Sequence, residues 1–226
     1  MRRRAEPSFY GSPEGPLPDP SSCGGGVTAS VQCHPRFAGL RDELLTRSDG
    51  FKPWTGTVYR FQTLDFPSPT DVLSGHGARM RGGRWNPRGL PAVYGSTTDT
   101  TALQECQAND RYYGVVNRSP RILVAIEATL TRMLDLSDFT IRRALGITLQ
   151  GLAREDWRRL QDAGRESLSQ TIGRAVAAVG GSGILARSAA CAPGINVVVF
   201  PGAHGDDRLE IVDAHRLERL TSGRLD

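Results

Sequence analysis

Lysine is almost missing from this chain. Lys52 is the only one, so all but one of the 28 basic residues are arginine. A GC-rich coding bias accounts for an arginine excess of this kind, so position and not number must carry any argument from arginine. Acids are missing from the whole stretch between Asp71 and Asp99. None of the four cysteines, Cys23, Cys33, Cys106 and Cys191, forms a CxxC pair, which removes the usual zinc spacings, and Cys33 beside His34 has no second pair to complete a site. No apolar run approaches the roughly 20 residues needed to span a bilayer. Met1-Arg2-Arg3-Arg4 has the charge of a leader's first segment, but proline, glycine and serine follow instead of an apolar stretch. The expectation is a cytoplasmic protein with reduced thiols, no metal and no membrane association.

What is present suffices for one domain and a tail: 226 residues, 38% of them hydrophobic, with a net charge of +4. That charge permits an anionic ligand without demanding nucleic acid. Residues 1–30 are rich in proline, glycine and serine and bury too little to offset ordering entropy, so a loosely attached tail is expected there. Residues 31–54 read as a linker with a short amphipathic helix, from Phe37, Leu40, Leu44 and Leu45 at helical spacing. The compact domain is expected over 55–226.

Within it, "TGTVYRFQ", "PAVYGS", "RILVAIEATL", "GILARS", "INVVVF" and "RLEIVDA" read as strands, and Pro193-Gly194 marks a hairpin turn. "DTTALQECQAND", "LQGLAREDWRRLQDAG" and "ESLSQTIGRAVAAVGG" read as helices, the last closing at Gly180-Gly181. Strands and helices do not alternate regularly, which favours α+β over a doubly wound sheet.

The chemistry concentrates in "RMRGGRWNPRG", residues 79–89. Arginine offers a fixed fork that takes phosphate in bidentate fashion, and glycine lets backbone approach a ligand closely. The spacing is neither the dinucleotide fingerprint nor the P-loop. A solvated arginine loop would look the same locally, and Glu105, on the flank of its helix's apolar stripe, could equally be a solvated glutamate.

The pattern Tyr59-Arg60, Gly82-Gly83-Arg84-Trp85-Asn86, Val93-Tyr94, Ala102-Leu103-Gln104-Glu105 and then Ser188 ahead of "NVVVFPG" resembles the RES-domain family. The likeness covers roughly residues 55–215. It implies an ADP-ribosyltransferase-like split sheet with flanking helices, and an NAD-consuming toxin of a bacterial toxin–antitoxin pair. It implies catalytic roles for Glu105, Arg60 and Ser188, and substrate binding by Arg84 and Tyr94. Trp85 is expected as a structural plug, and Arg79, Arg81 and Arg88 as a solvated rim. No metal or cofactor is implied; NAD is the substrate, with inorganic phosphate as a co-substrate in phosphorolysis or water in hydrolysis. A cognate antitoxin is the expected protein partner, and a homo-oligomer is allowed. The rival readings are an ADP-ribosyltransferase acting on a protein side chain, a catalytically dead relative that only binds a partner, and a basic nucleic-acid-binding module. Few aromatics beside the basic loop argue against the last.

Overall fold

The computed structural model describes residues 31–115, 120–202 and 205–222. The tail expected over residues 1–30 therefore lies outside the described residues. Six strands are described: β1 (Phe51–Thr63), β2 (Val93–Ser96), β3 (Arg121–Asp135), β4 (Gly183–Arg187), β5 (Ile195–Val199) and β6 (Arg208–Ile211). The helices are α1 (Phe37–Thr46), α2 (Pro69–Leu73), α3 (His76–Arg81), α4 (Asp99–Tyr113), α5 (Phe139–Ala144), α6 (Leu149–Arg154), α7 (Trp157–Asp162), α8 (Leu168–Ala178) and α9 (Ala214–Ser222).

One sheet runs in the order β1-β2-β5-β4-β3-β6, and β1 also pairs with β3, so five strands form a closed circuit with β6 outside it. The antiparallel β1–β3 pair is the spine, running from Phe51↔Leu134 to Thr63↔Arg121. Its register slips between Lys52 and Trp54. Pro53 sits there, and a residue without an N–H cannot serve the ladder. Along its other edge β3 changes neighbours. Residues 126–129 pair antiparallel with β6, and residues 133–135 pair parallel with β4. β4 and β5 are antiparallel neighbours, as the Pro-Gly turn implied.

The sheet is apolar on both faces. In β5, Val198 joins a core with Leu40, Leu44, Trp85, Ile172 and Phe200, while Val197 and Val199 join a second core with Val58, Val93, Ile126 and Leu130. Strand alternation sends successive side chains to opposite faces, so one strand feeds both cores. α1 is built into the first core, with Leu40 and Leu44 at 3% and 2% exposure. Below it, α8 is buried almost all round, and Arg174 forms a buried ion pair with Glu166 at 2.7 Å while stacking 3.5 Å from the Phe37 ring centroid. The boundary expected at residue 55 is thus moved. β1 starts at Phe51, and the helix before it is part of the hydrophobic core rather than a linker.

Three further readings need correction. The helix expected over "LQGLAREDWRRLQDAG" is two, α6 and α7, because the Asp156 carboxylate accepts from the amides of Arg158 and Arg159 and starts a new helix. The arginine-rich segment before Gly82 is helical, not a loop. Gly75 at φ 66 and Gly82 at φ 73 bracket α3 and supply the left-handed and turn conformations at its ends. Cys33 is in a disulfide and is not a reduced thiol.

Candidate active site

The centre of the site is a carboxylate held from two sides. Thr98 caps α4 by accepting from the Thr101 amide, and the helix carries Glu105 in its second turn. Glu105 Oε1 accepts from Ser188 Oγ at 2.7 Å and from Asn196 Nδ2 at 2.6 Å. Among the described residues, Oε2 carries no hydrogen bond. Ser188 belongs to a tight loop after β4. Its hydroxyl oxygen accepts from the amides of Ala190 and Cys191 at 3.1 and 2.9 Å, and its own amide donates to the Gly194 carbonyl at 2.8 Å. The loop contains a cis Ala192–Pro193 bond. It packs on the first turn of α4, where a Cβ at Gly194 would collide with the Thr101 side chain.

Asn196 is the residue that sequence reasoning missed. It stands opposite Ser96 in the β2–β5 ladder. The buried Ser96 hydroxyl donates to Asn196 Oδ1 at 2.8 Å. The acceptor-only Glu105 carboxylate requires the Nδ2 end of the amide to face it, and the Ser96 hydroxyl, which can donate or accept, then donates to the remaining Oδ1. A single polar side chain heading an otherwise apolar strand, "INVVV", is the signal that could have found it.

Arg84 faces this carboxylate. Burial pushes its guanidinium down from its ordinary value, and the negative charge of Glu105 pushes it back up. Nη2 donates to the Leu152 carbonyl at 3.0 Å, and no carboxylate forms an ion pair with it among the described residues. The turn around it is pinned from below. The Gly83 amide donates to the Asn86 carbonyl at 2.9 Å, Gln170 Nε2 on α8 donates to the Gly83 carbonyl at 3.1 Å, and Gln161 Nε2 on α7 donates to the Arg81 carbonyl at 2.9 Å. Trp85 is 5% exposed and fills the first core.

Arg60 lies in β1. Burial pushes it down to about 10, and its Nε donates to Gln62 Oε1 at 3.0 Å. It remains a cation at neutral pH, and among the described residues its side-chain hydrogen-bond partner is a neutral amide. No described contact joins Arg60 to Glu105. Tyr94 is placed differently from the expectation of a free pocket group. Its hydroxyl donates to Asn86 Oδ1 at 2.7 Å and accepts from the Trp85 amide at 2.9 Å. Burial raises the phenol well above its usual value. The Tyr94 hydroxyl therefore closes the Gly-Gly-Arg-Trp-Asn turn, and its ring packs against the first core. Arg81, Arg88 and His76 are exposed, and Arg79 is half-buried.

The structure thus brings Glu105, Ser188 and Asn196 into direct contact, with Arg84 within electrostatic reach. Among the described residues, no cluster of three or more His, Cys, Asp or Glu side chains could hold a metal ion. No helix among them is long and apolar enough to cross a membrane.

The sequence profile of the RES domain matches residues 57–220. The proteins named NAD(+) phosphorylase MbcT from Mycobacterium bovis and Mycobacterium tuberculosis are each 31% identical to this chain over 154 residues, 65% of this chain and 81% of theirs. A chain in the crystal structure of the M. tuberculosis MbcT–MbcA toxin–antitoxin complex has a similar fold, with a TM-score of 0.61 and 23% sequence identity over 81% of this chain and 97% of that one.

Proposed function

This chain belongs to the RES domain family, and from that premise we propose that it is an NAD phosphorylase, the toxin of a cytoplasmic toxin–antitoxin pair. The observation that carries the proposal is the Glu105 carboxylate, clamped through one oxygen by Ser188 and Asn196, with Arg84 opposite and in no ion pair among the described residues. The 31% identity to proteins named NAD(+) phosphorylase supports the same activity.

The nicotinamide–ribose bond breaks through a state with positive charge on the ribose. The nicotinamide ring is already cationic and leaves as a neutral molecule with the bonding pair, so no general acid is needed. What the protein must supply is a fixed negative charge beside C1′ and a grip on the pyrophosphate. Glu105 supplies the first. Its Oε2 is the oxygen left for the ribose, and two donors on Oε1 keep the carboxylate from rotating away. Arg84 and Arg60 supply the second, and the Tyr94 ring borders the bound nucleotide. Ser188 serves by holding Glu105. An oxygen of inorganic phosphate then bonds to C1′, giving ADP-ribose phosphorylated at that carbon; water in the same place would give ADP-ribose. NAD is the substrate and no cofactor takes part.

The finer architecture we assign is an ADP-ribosyltransferase-like split sheet. The switch of β3 from β6 to β4 along one edge supports it.

The test is incubation of the protein with NAD, with and without inorganic phosphate, and identification of products by mass. A phosphorylated ADP-ribose that appears only with phosphate is the expected product. Free ADP-ribose in both arms would make the enzyme a glycohydrolase, and intact NAD in both would end the proposal.

A further inference from the structure

We propose that Tyr112 at the end of α4, together with Arg158 from α7, forms the seat for the adenylate end of an adenine dinucleotide. The inference rests on the reading that the Glu105 cleft accepts NAD, and it extends that cleft along the outside of α4.

Helical geometry sets the direction. Glu105, Asn109 and Tyr112 follow one another at four and three residues, so they lie on one face of α4. Seven residues along a helix axis separate the carboxylate from the tyrosine by about 10 Å. That is the scale on which a dinucleotide carries its adenine away from the reacting ribose.

Arg158 lies across the far end of that face. Its Nη2 donates to Asn109 Oδ1 at 2.9 Å and its Nε to the Tyr113 hydroxyl at 3.2 Å. The guanidinium carbon stands 4.2 Å from the Tyr112 ring centroid and 4.4 Å from that of Trp157. No carboxylate forms an ion pair with it among the described residues. The nearby Asp156 is occupied through Oδ1 in capping α7, and its Oδ2 accepts from the Tyr112 hydroxyl at 3.4 Å. Arg158 is close enough to Arg84 for its charge to oppose that of Arg84. Two guanidiniums held within each other's field, one of them facing the Glu105 carboxylate and neither in an ion pair among the described residues, make an anion site, and a pyrophosphate matches its extent.

The rings complete the recognition. Tyr112 and Tyr113 are 52% and 58% exposed and meet edge to face at 5.1 Å. Arg158 covers one face of the Tyr112 ring, and the exposed half of the residue supplies the stacking face. A purine stacks on such a face, and the cation behind it holds the ring in place. Glu105, Arg84, Arg158 and Tyr112 then follow the order ribose, phosphates, adenine.

The experiment measures binding of ADP-ribose and AMP by calorimetry, and steady-state kinetics with NAD and with nicotinamide mononucleotide, which lacks the adenylate. Tyr112→Ala and Arg158→Gln should each weaken ADP-ribose and AMP binding about tenfold. Both should raise KM for NAD by a similar factor with kcat little changed, and leave KM for the mononucleotide in place. Tyr112→Phe keeps the ring and should restore binding. Melting curves guard against unfolding, which the exposure of Tyr112 makes a small concern. ADP-ribose and AMP binding equal to wild type in both variants overturns the seat, even in a protein that cleaves NAD. A protein that leaves NAD intact yet binds ADP-ribose through Tyr112 and Arg158 keeps the seat and loses the phosphorylase assignment.

Discussion

Ser188 and Glu105, 83 residues apart in the chain, are joined by a hydrogen bond of 2.7 Å from hydroxyl to carboxylate oxygen. The serine is itself fixed by two backbone amides. In the proposed mechanism this serine, whose oxygen accepts twice and whose proton is given to the carboxylate, orients Glu105.

Glu105→Gln should therefore keep the fold and lose the reaction. The amide oxygen can still accept from Ser188 and Asn196, and helix propensity is nearly unchanged. What disappears is the charge facing the ribose, a loss that typically lowers kcat by about 10²–10³. Kinetics on NAD with parallel melting curves test this. Wild-type turnover by the variant would reduce Glu105 to an ordinary helix glutamate.

Asn196→Asp should change the response to pH. It places a second carboxylate against Glu105, and two carboxylates at that distance share a proton. One of them then ionises only at raised pH, so the acidic limb of kcat should move upward relative to wild type. Asn196→Ala should lower kcat without that displacement. Superimposable pH profiles for wild type and Asn196→Asp would remove Asn196 from the working site.

If Arg84 grips the pyrophosphate as proposed, Arg84→Ala should raise KM for NAD on the order of tenfold or more, with a smaller effect on kcat. Arg60→Met should act in the same direction, since it removes the second cation proposed for the pyrophosphate. A fall in kcat alone, with KM unchanged, would place these arginines elsewhere in the mechanism.

Gly173→Ala tests the support beneath the arginine turn. A Cβ at Gly173 would strike the Trp85 carbonyl directly. Overpacking of this kind costs about 1–3 kcal/mol. A chain of this size should lose several degrees of melting temperature, measurable by calorimetry. A melting temperature equal to wild type would mean that α8 and the turn can part at little cost.

Glu166→Gln should be the more damaging change. It leaves Arg174 buried without its counter-charge, where Nη1 has no hydrogen-bond partner among the described residues. Breaking one half of a buried pair costs about 3–5 kcal/mol. Denaturant unfolding measures it directly, and a loss below about 1 kcal/mol would show the pair to be solvated.

Much of the fold was legible because local pattern and final environment agree. β3 alternates Val124, Ile126, Ala128 and Leu130 into one core, the period that a strand with one buried edge row requires. α8 was legible because its apolar residues recur at helical spacing and its Ser167–Gln170 capping box marks the start. The break at Asp156 was not, because Leu152 and Leu160 keep helical period straight through it, and only the competing cap ends α6. α3 looked like a loop because glycine penalises helix interiors, yet Gly75 and Gly82 lie just outside it and Gly77 falls in its first turn. At the site, motif order singled out Glu105 and Arg84. The roles of Tyr94 and Asn196 depended on which partner each polar atom meets across the sheet, and no spacing along the chain encodes that.

β5 has a consequence for how the protein comes to be active. This strand, Ile195–Val199, is the inner member between β2 and β4 and brings Asn196 to Glu105. Everything else that frames the carboxylate emerges from the ribosome earlier, with α4 and the arginine turn among the first pieces. A nascent chain can therefore collapse around α8 and the β1–β3 pair while its carboxylate is still unclamped. The two-sided clamp on Glu105 is thus complete only once β5 has docked between β2 and β4, which makes the seating of that strand the step that finishes the site.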